Sequence, residues 1–369
     1  MKKVLIAAGG TGGHIFPAMA VAKVLSQQGV SVYWVGSKRP LEQKIVQPCY
    51  DLTCLSIESL RGRGRLSRFA APFRLLKALW ESLRCLHRVK PDVVLTFGSF
   101  VSGPVGMASF LRSVPLVIHE QNAVAGMTNR WLAKIATRVL PAFRGVFPPK
   151  VQPVVIGNPV RAELLDLPPY EQRSEERDGP IRILVLGGSQ GARALNQVVS
   201  AWVKQYALAD EVTIRHQVGA THVADMHDSY VGVDVDVKVE AFIDDMTAAY
   251  AWADLVICRA GALTVSEIMS VGIASVLVPF PHAVDDHQYK NAMFLVSQSA
   301  GKVVREADLS VEYLQDIVGS YLTNARSSDS LLLSQAKAAR QLSQPEAADN
   351  IVAMLQQVCV KKSKRKARC

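Results

Sequence analysis

No stretch of the chain reaches the ~18 uninterrupted apolar residues that a membrane-spanning helix needs, and the apolar run at residues 4–8 is too short for the core of a signal peptide. The chain is therefore expected in the cytoplasm. Cysteine is sparse. Cys49, Cys54, Cys85, Cys258, Cys359 and Cys369 contain no CxxC pair and no regular framework, so neither disulfides nor a thiolate metal site is expected. Two phosphate signatures are missing as well. No Gly-Lys-Ser/Thr follows the glycine run at residues 9–13, which excludes a Walker loop. Counted from Gly10, the third glycine of a dinucleotide fingerprint falls on Ile15, and the second strand ends at Gly36-Ser37 instead of an acidic ribose reader. A hydride-transfer enzyme becomes the minority reading, resting only on Ser37-Lys38-Arg39 as a seat for a 2′-phosphate.

What is present is an α/β pattern that occurs twice. A length of 369 residues suits two domains, and 49% hydrophobic residues describe a globular chain rather than a disordered or fibrous one. Residues 3–8 read as a buried strand, closed by the glycine run and followed from His14 by helical spacing (Ile15, Ala18, Met19, Ala22, Leu25) that stops at Gly29. Further strands are predicted at 30–35, 93–97 and 116–119. The pattern restarts with a strand at 181–186, a glycine turn at 187–191 and a helix at 192–206. Strands at 212–218, 255–258 and 275–279 follow, interleaved with helices near 246–252, 264–271 and 286–299. Two Rossmann-like doubly wound domains are the simplest account. Gly157-Asn158-Pro159 is the expected joint, since proline forces the residue before it out of helical geometry, and 168–180 reads as a surface loop.

The net charge of +10 is concentrated in two places. Residues 61–90 carry a net +8 and residues 361–369 a net +6, leaving the rest of the chain at −4. Nucleic acid would call for a broader basic stripe, so none is expected as a partner; two local patches suit an anionic surface touched at particular points.

Each glycine turn sits where a strand hands over to a helix, so main-chain N–H groups and the positive helix end converge on one spot, a geometry that binds phosphate. Four glycines in five residues at 9–13 cost chain entropy that an unliganded turn would not need. The turn at 187–191 is the better seat for a nucleotide diphosphate, because Ser189 adds a hydroxyl and a second helix opens at Gly261-Ala262-Leu263-Thr264 after the strand at 255–258. Glu267, one turn into that helix, is placed to accept hydrogen bonds from a ribose; alone, it reads equally well as an exposed helix carboxylate.

Several runs taken together resemble a known family: Gly9 to His14, Val101-Ser102-Gly103-Pro104, His119-Glu120-Gln121-Asn122, Gly157-Asn158-Pro159-Val160-Arg161, Gly187-Gly188-Ser189-Gln190-Gly191-Ala192, Phe242-Ile243-Asp244-Asp245-Met246 and Gly261 to Glu267. They are similar to glycosyltransferase family 28, and within it to the peptidoglycan enzymes that add N-acetylglucosamine to undecaprenyl-diphospho-muramoyl-pentapeptide. The resemblance implies a GT-B fold, two domains facing a cleft. Residues 1–158 would bind acceptor and membrane, residues 159–345 the UDP-sugar donor; a final helix at about 346–358 would cross back to the first domain, and 359–369 would be a disordered basic tail. Carried over by motif, the substrate contacts are Thr11, Gly12, Gly13, Asn122, Arg161, Ser189, Ile243, Ala262, Leu263, Thr264, Val265, Ser266, Glu267 and Gln288. The implied partners are UDP-N-acetylglucosamine, the lipid-linked muramoyl-pentapeptide, an anionic membrane and other cell-wall synthesis proteins, with a peripheral location on the cytoplasmic face of the inner membrane. The pattern departs from the family at Phe100, where Gly98-Ser99-Phe100 replaces the usual Gly-Gly-Tyr, and at Ala260, where serine is common.

Sugar transfer needs a base for the acceptor hydroxyl and stabilisation of the departing diphosphate. His14 suits the first task, because the start of a helix disfavours the imidazolium and keeps the ring able to accept a proton; Glu120 is the alternative, and Asn122 is suited to orientation. No metal and no cofactor are expected. Asp234-Val-Asp236 reads as an exposed strand face, and His282, Asp285, Asp286 and His287 as a loop leading to Gln288. The family mechanism implies inversion. Phe69, Phe73, Leu76, Trp80 and Leu83 recur at helical spacing beside Arg74, Lys77, Arg84 and Arg88, an amphipathic basic helix after an arginine-rich lead-in. Membrane contact is expected through Phe69, Phe73, Leu76, Trp80, Arg74 and Lys77, against the alternative of a core helix with snorkelling cations. Two further readings remain: a UDP-sugar epimerase or a transferase for another lipid-linked acceptor, and a nucleotide-sensing or scaffolding module without turnover.

Overall fold

The structure, a computed structural model, describes residues 1–57, 71–175, 177–188 and 191–366. The lead-in at 61–68, Phe69, Ser189 and the last three residues lie outside the described residues. The chain forms two compact units, residues 1–161 with 344–369, and residues 162–343. The first division thus falls just after Arg161, three residues beyond the expected joint.

The first unit holds a parallel sheet of six strands: β1 (Lys3–Ala7), β2 (Ser31–Gly36), β3 (Asp51–Cys54), β4 (Val93–Thr96), β5 (Leu116–Glu120) and β6 (Arg138–Pro141), in the order β3-β2-β1-β4-β5-β6. The second unit repeats the design with β7 (Ile181–Leu186), β8 (Val212–Gln217), β9 (Val237–Glu240), β10 (Leu255–Cys258), β11 (Ala274–Leu277) and β12 (Lys302–Val303), in the order β12-β11-β10-β7-β8-β9. Three strands have no counterpart in the sequence reading, β3, β6 and β12; they are sheet edges, as is β9, which the alternating run through Asp234 and Asp236 marks only as an exposed strand face. Central strands such as β4 and β10 are buried on both faces and read as continuous apolar runs. Asp51-Leu-Thr-Cys and Val237-Lys-Val-Glu are half-exposed and carry no such run.

In each sheet the strand order reverses beside the first strand, between β1 and β4 and between β7 and β10, which is where open α/β sheets seat ligands, beyond the carboxyl ends of the strands. The helix Gly12–Gln27 buries Ile15, Ala18, Val21, Ala22 and Leu25, and the final helix Ala347–Lys366 adds Ile351, Val352, Leu355 and Val358 to the same core. That helix belongs to the first unit, and it runs on to Lys366, whereas a disordered tail was expected from residue 359. The expected surface loop at 168–180 also proves anchored: a short helix, Tyr170–Ser174, buries Tyr170 in the core of the second unit, and Arg173 donates 2.9 Å to the Tyr250 carbonyl. No helix among the described residues is long and apolar enough to cross a membrane.

Candidate active site

The first glycine turn leaves β1 and opens the helix Gly12–Gln27; the His14 and Ile15 amides already donate to the Thr11 carbonyl at 3.1 and 3.2 Å, so the leading amides that a helix start leaves without an intrahelical acceptor are those of Gly12 and Gly13. A buried carboxylate braces the turn from behind. Glu42 accepts from the Gly10 amide at 2.8 Å and from the Ser37 hydroxyl at 2.6 Å, and a Cβ on Gly9 would stand 2.9 Å from its Oε1. Thr11 is exposed at the N-cap position without capping through its side chain. Arg161 stacks over the Phe16 ring at 5.0 Å, and the same ring lies 2.9 Å from where a Gly12 Cβ would sit, so the guanidinium is held beside the turn. Phe100 packs there too, 3.5 Å from a Gly10 Cβ, with the Arg39 guanidinium 5.5 Å above its ring.

His14, half-buried in the first turn of that helix, has its Nδ1 3.1 Å from Gln121 Oε1. Gln121 Nε2 is 3.0 Å from His119 Nδ1, and His119 Nε2 is 2.9 Å from the Gly157 carbonyl. His119 is fully buried, and burial above all drives its pKa down from 6.5 to about 4, so the ring is neutral. Gly98, with φ +78°, backs His14: a Cβ there would meet the imidazole Cε1 at 3.5 Å. Neither Gln121 nor His119 was singled out from the sequence as a site residue; their only signal was membership of the His119 to Asn122 motif.

Glu120 is committed elsewhere. One carboxylate oxygen accepts from the Asn122 amide (3.1 Å) and side chain (3.2 Å), the other from the Gly126 amide (3.0 Å) and Asn129 (2.9 Å). A buried carboxylate with both oxygens engaged organises residues 120–129 and is poorly placed to take a proton, which leaves His14 as the base candidate.

In the second unit, Leu186 and Cys258 end neighbouring strands in register, and the helices Arg193–Tyr206 and Ala262–Val271 begin just beyond them. Two positive helix ends therefore lie side by side. Gln217 clamps the glycine turn: its carbonyl accepts from Gly187 at 3.2 Å, its Nε2 donates to the Gly188 carbonyl at 3.1 Å, and its Oε1 accepts from the Ile243 amide at 3.0 Å. The Ile243 amide is thus spent internally and its side chain is buried, so any contact from this residue falls to its carbonyl. Gly191 has φ +78°, and a Cβ would collide with the Val218 carbonyl oxygen.

Of the run at 262–267, Leu263 and Thr264 are partly exposed, whereas Ala262, Val265, Ser266 and Glu267 are buried. The Ser266 hydroxyl donates to the Ala262 carbonyl at 2.9 Å, and Glu267 accepts from the Tyr250 hydroxyl at 3.2 Å. Tyr250 is a positioning group the sequence did not reveal. Asn291 donates to the Ala260 carbonyl at 3.2 Å, docking the helix His287–Val296 against the start of Ala262–Val271; Gln288, one residue into it, accepts from the Phe280 amide at 2.9 Å. Of the acidic and histidine groups weighed as ligands, Asp286 pairs with Arg305 at 3.1 Å and His287 Nδ1 meets the Val284 carbonyl at 2.8 Å, while Asp234 and Asp236 are exposed on either side of buried Val235 just before β9, where the Asp236 carbonyl accepts from the Ile214 amide at 2.9 Å.

The amphipathic helix Ala71–Val89 turns Ala78, Ser82, Cys85, Leu86 and Val89 inward. Phe73 (75% exposed), Leu76 and Trp80 (58%) stand outward, so they are not its core face. The helix Ser99–Leu111, packed beside it, and the helix Met127–Leu132, packed on Ser99–Leu111, also expose apolar side chains: Phe110, Leu111, Met127 and Trp131 (65%). Arg84 lies over Trp80 at 5.4 Å and Lys134 over Trp131 at 4.1 Å.

Residues 4–141 match the glycosyltransferase family 28 N-terminal domain and residues 182–351 the family 28 C-terminal domain. Over 353 residues the chain is 44% identical to a Coxiella burnetii protein named UDP-N-acetylglucosamine–N-acetylmuramyl-(pentapeptide) pyrophosphoryl-undecaprenol N-acetylglucosamine transferase, covering 96% of this chain and 98% of that one. A Mannheimia succiniciproducens protein of the same name is 45% identical over 358 residues, with 96% and 98% covered. Among solved structures, MurG from Acinetobacter baumannii superposes with a TM-score of 0.83 at 38% identity, over 97% of this chain and 100% of that one. A UDP-GlcNAc 2-epimerase from Neisseria meningitidis, at 13% identity and a TM-score of 0.64, shares the fold alone. In both domains and along nearly its whole length, the chain belongs to glycosyltransferase family 28.

Proposed function

We propose that the protein transfers N-acetylglucosamine from UDP-N-acetylglucosamine to a lipid-linked muramoyl-pentapeptide, with inversion at the anomeric carbon. The observation that carries this reading is the identity of 44–45% to transferases of that name across both domains, in a chain whose two glycine turns each open a helix at a strand-order reversal. The UDP diphosphate is held by main-chain amides of the turn after β7 and by the end of the helix Ala262–Val271. These fixed dipoles stabilise charge on the leaving group without reorganising. Glu267 accepts from the ribose, and Gln288, Leu263, Thr264 and the Ile243 carbonyl complete the donor seat. On the first domain His14 takes the proton of the acceptor hydroxyl, while Thr11, Gly12, Gly13, Asn122 and Arg161 serve the reacting groups beside it.

A lipid-linked acceptor gives the exposed surface of Phe73, Leu76, Trp80, Phe110, Leu111 and Trp131 a purpose: it lies on the membrane, with Arg74, Lys77 and Arg84 meeting anionic headgroups at ~1 kcal/mol per cation. The protein then works as a peripheral enzyme on the cytoplasmic face. The deciding experiment mixes the protein with UDP-N-acetylglucosamine and a muramoyl-diphospho-lipid and weighs the products. A lipid heavier by one N-acetylhexosamine, with one UDP released per transfer, is expected; UDP release without that lipid product would overturn the assignment.

A further inference from the structure

We infer that His119 and Gln121 form a proton-ordering relay that sets the tautomer of His14, holding the proton on Nδ1 and leaving Nε2 as the basic nitrogen. The inference deepens the reading of His14 as base and rests on it.

The order is fixed from one end. His119 Nε2 faces the Gly157 carbonyl at 2.9 Å, and a carbonyl only accepts, so Nε2 must carry hydrogen. The ring is buried and neutral, so its Nδ1 has a lone pair and must accept. What faces that lone pair, at 3.0 Å, is the Gln121 side chain, which must therefore present its NH2; the same NH2 also reaches the His119 carbonyl at 3.5 Å. The amide orientation follows, and its oxygen is left facing His14 Nδ1 at 3.1 Å. An oxygen there accepts only from N–H, so His14 is protonated on Nδ1 and Nε2 is the free base. Reversing any one member would place two lone pairs or two hydrogens face to face.

Three further contacts keep the relay in place. Asn158 donates to the Gln121 carbonyl at 2.9 Å, Asn129 donates to the His119 carbonyl at 3.0 Å, and Phe97 packs on the His119 ring with centroids 5.2 Å apart. Gly157, the anchor, has φ +82°, and a Cβ there would run into Gln344. The terminal acceptor is thus a main-chain carbonyl with little room to turn. His119 and Gln121 are positioning residues: both are buried, and each acts through the orientation and protonation of His14.

The test reads the tautomer without substrate, so it stands apart from whether His14 is the base. Protein labelled with 15N-histidine is examined by long-range proton–nitrogen NMR near pH 7.5, the His14 signals being those lost in His14→Ala. The expected spectrum shows a pyrrole-type Nδ1 and a pyridine-type Nε2. In Gln121→Leu the Nε2-protonated form should emerge, kcat should fall at least ~10-fold, and the donor KM should change less than ~2-fold, since the donor seat is untouched. A wild-type His14 protonated on Nε2 overturns the relay, and so does a Gln121→Leu protein with unaltered His14 signals and kcat. If the variant fails to fold, the wild-type spectrum still decides.

Discussion

Each domain buries one neutral histidine, and this sets how the protein responds to mild acid. His119 sits in the first domain. His216 in the second has Nδ1 2.8 Å from the Tyr230 hydroxyl and Nε2 3.2 Å from Asn196 Oδ1, and burial lowers its pKa from 6.5 to about 3. Both rings bind a proton less readily in the native state than in the unfolded chain. As pH falls below 6.5 the unfolded chain therefore takes up protons first, and stability is lost from there down to about pH 4 for His119 and about pH 3 for His216. At ~1.4 kcal/mol per pH unit per group, each domain should lose roughly 2 kcal/mol between pH 6.5 and pH 5, a large part of the ~5–15 kcal/mol that domains possess. Carboxylates act lower: Arg215 holds Glu240 below its ordinary value, so its contribution is lost only beneath this window. Urea unfolding followed by circular dichroism at about pH 7.5, 6.5 and 5 measures the slope. His216→Gln keeps an N–H for Asn196 but cannot titrate. It should be weaker by ~1–3 kcal/mol at pH 7.5 and should flatten the acid slope of the second domain. An unchanged slope in that variant would refute the reasoning.

His14→Ala should lower turnover by ~10²-fold or more while calorimetric UDP affinity stays nearly intact; parallel loss of both would remove the base assignment. Gly191→Ala must place a side chain at φ +78° against the Val218 carbonyl, so UDP binding should weaken at least ~10-fold, and unaltered affinity would show that the turn after β7 is not the diphosphate seat. Tyr250→Phe removes the hydroxyl that holds Glu267 and should raise the donor KM several-fold with little change in kcat; an unchanged KM would detach Glu267 from the ribose. Replacing Trp80 and Trp131 with serine should reduce sedimentation with anionic vesicles, most at low salt, and equal sedimentation would place the membrane surface elsewhere.

The two doubly wound domains and both glycine turns were legible in the sequence because they depend on local signals. A strand buried on both faces needs consecutive apolar residues, as at 4–7, 93–95, 183–186 and 255–258, and a turn that must approach phosphate needs glycine. The edge strands β3, β6 and β12 were not legible, since a short, half-exposed segment such as Asp51–Cys54 carries no apolar run or clear alternation, and only its neighbour makes it a strand. The candidate base could be named from its place at a helix start.

Which nitrogen of His14 carries the proton is a different kind of property. It is decided by Gln121, His119 and Gly157, the last 143 residues away along the chain, because a hydrogen-bonded ring takes its tautomer from what faces it. The same holds for Glu120, whose carboxylate is indistinguishable from a base in sequence and is consumed by four donors in space. Motif and periodicity determined where chemistry could occur on this chain. Tertiary packing alone decided which groups are left free to perform it, since hydrogen-bond partners are chosen by proximity in space and not along the chain.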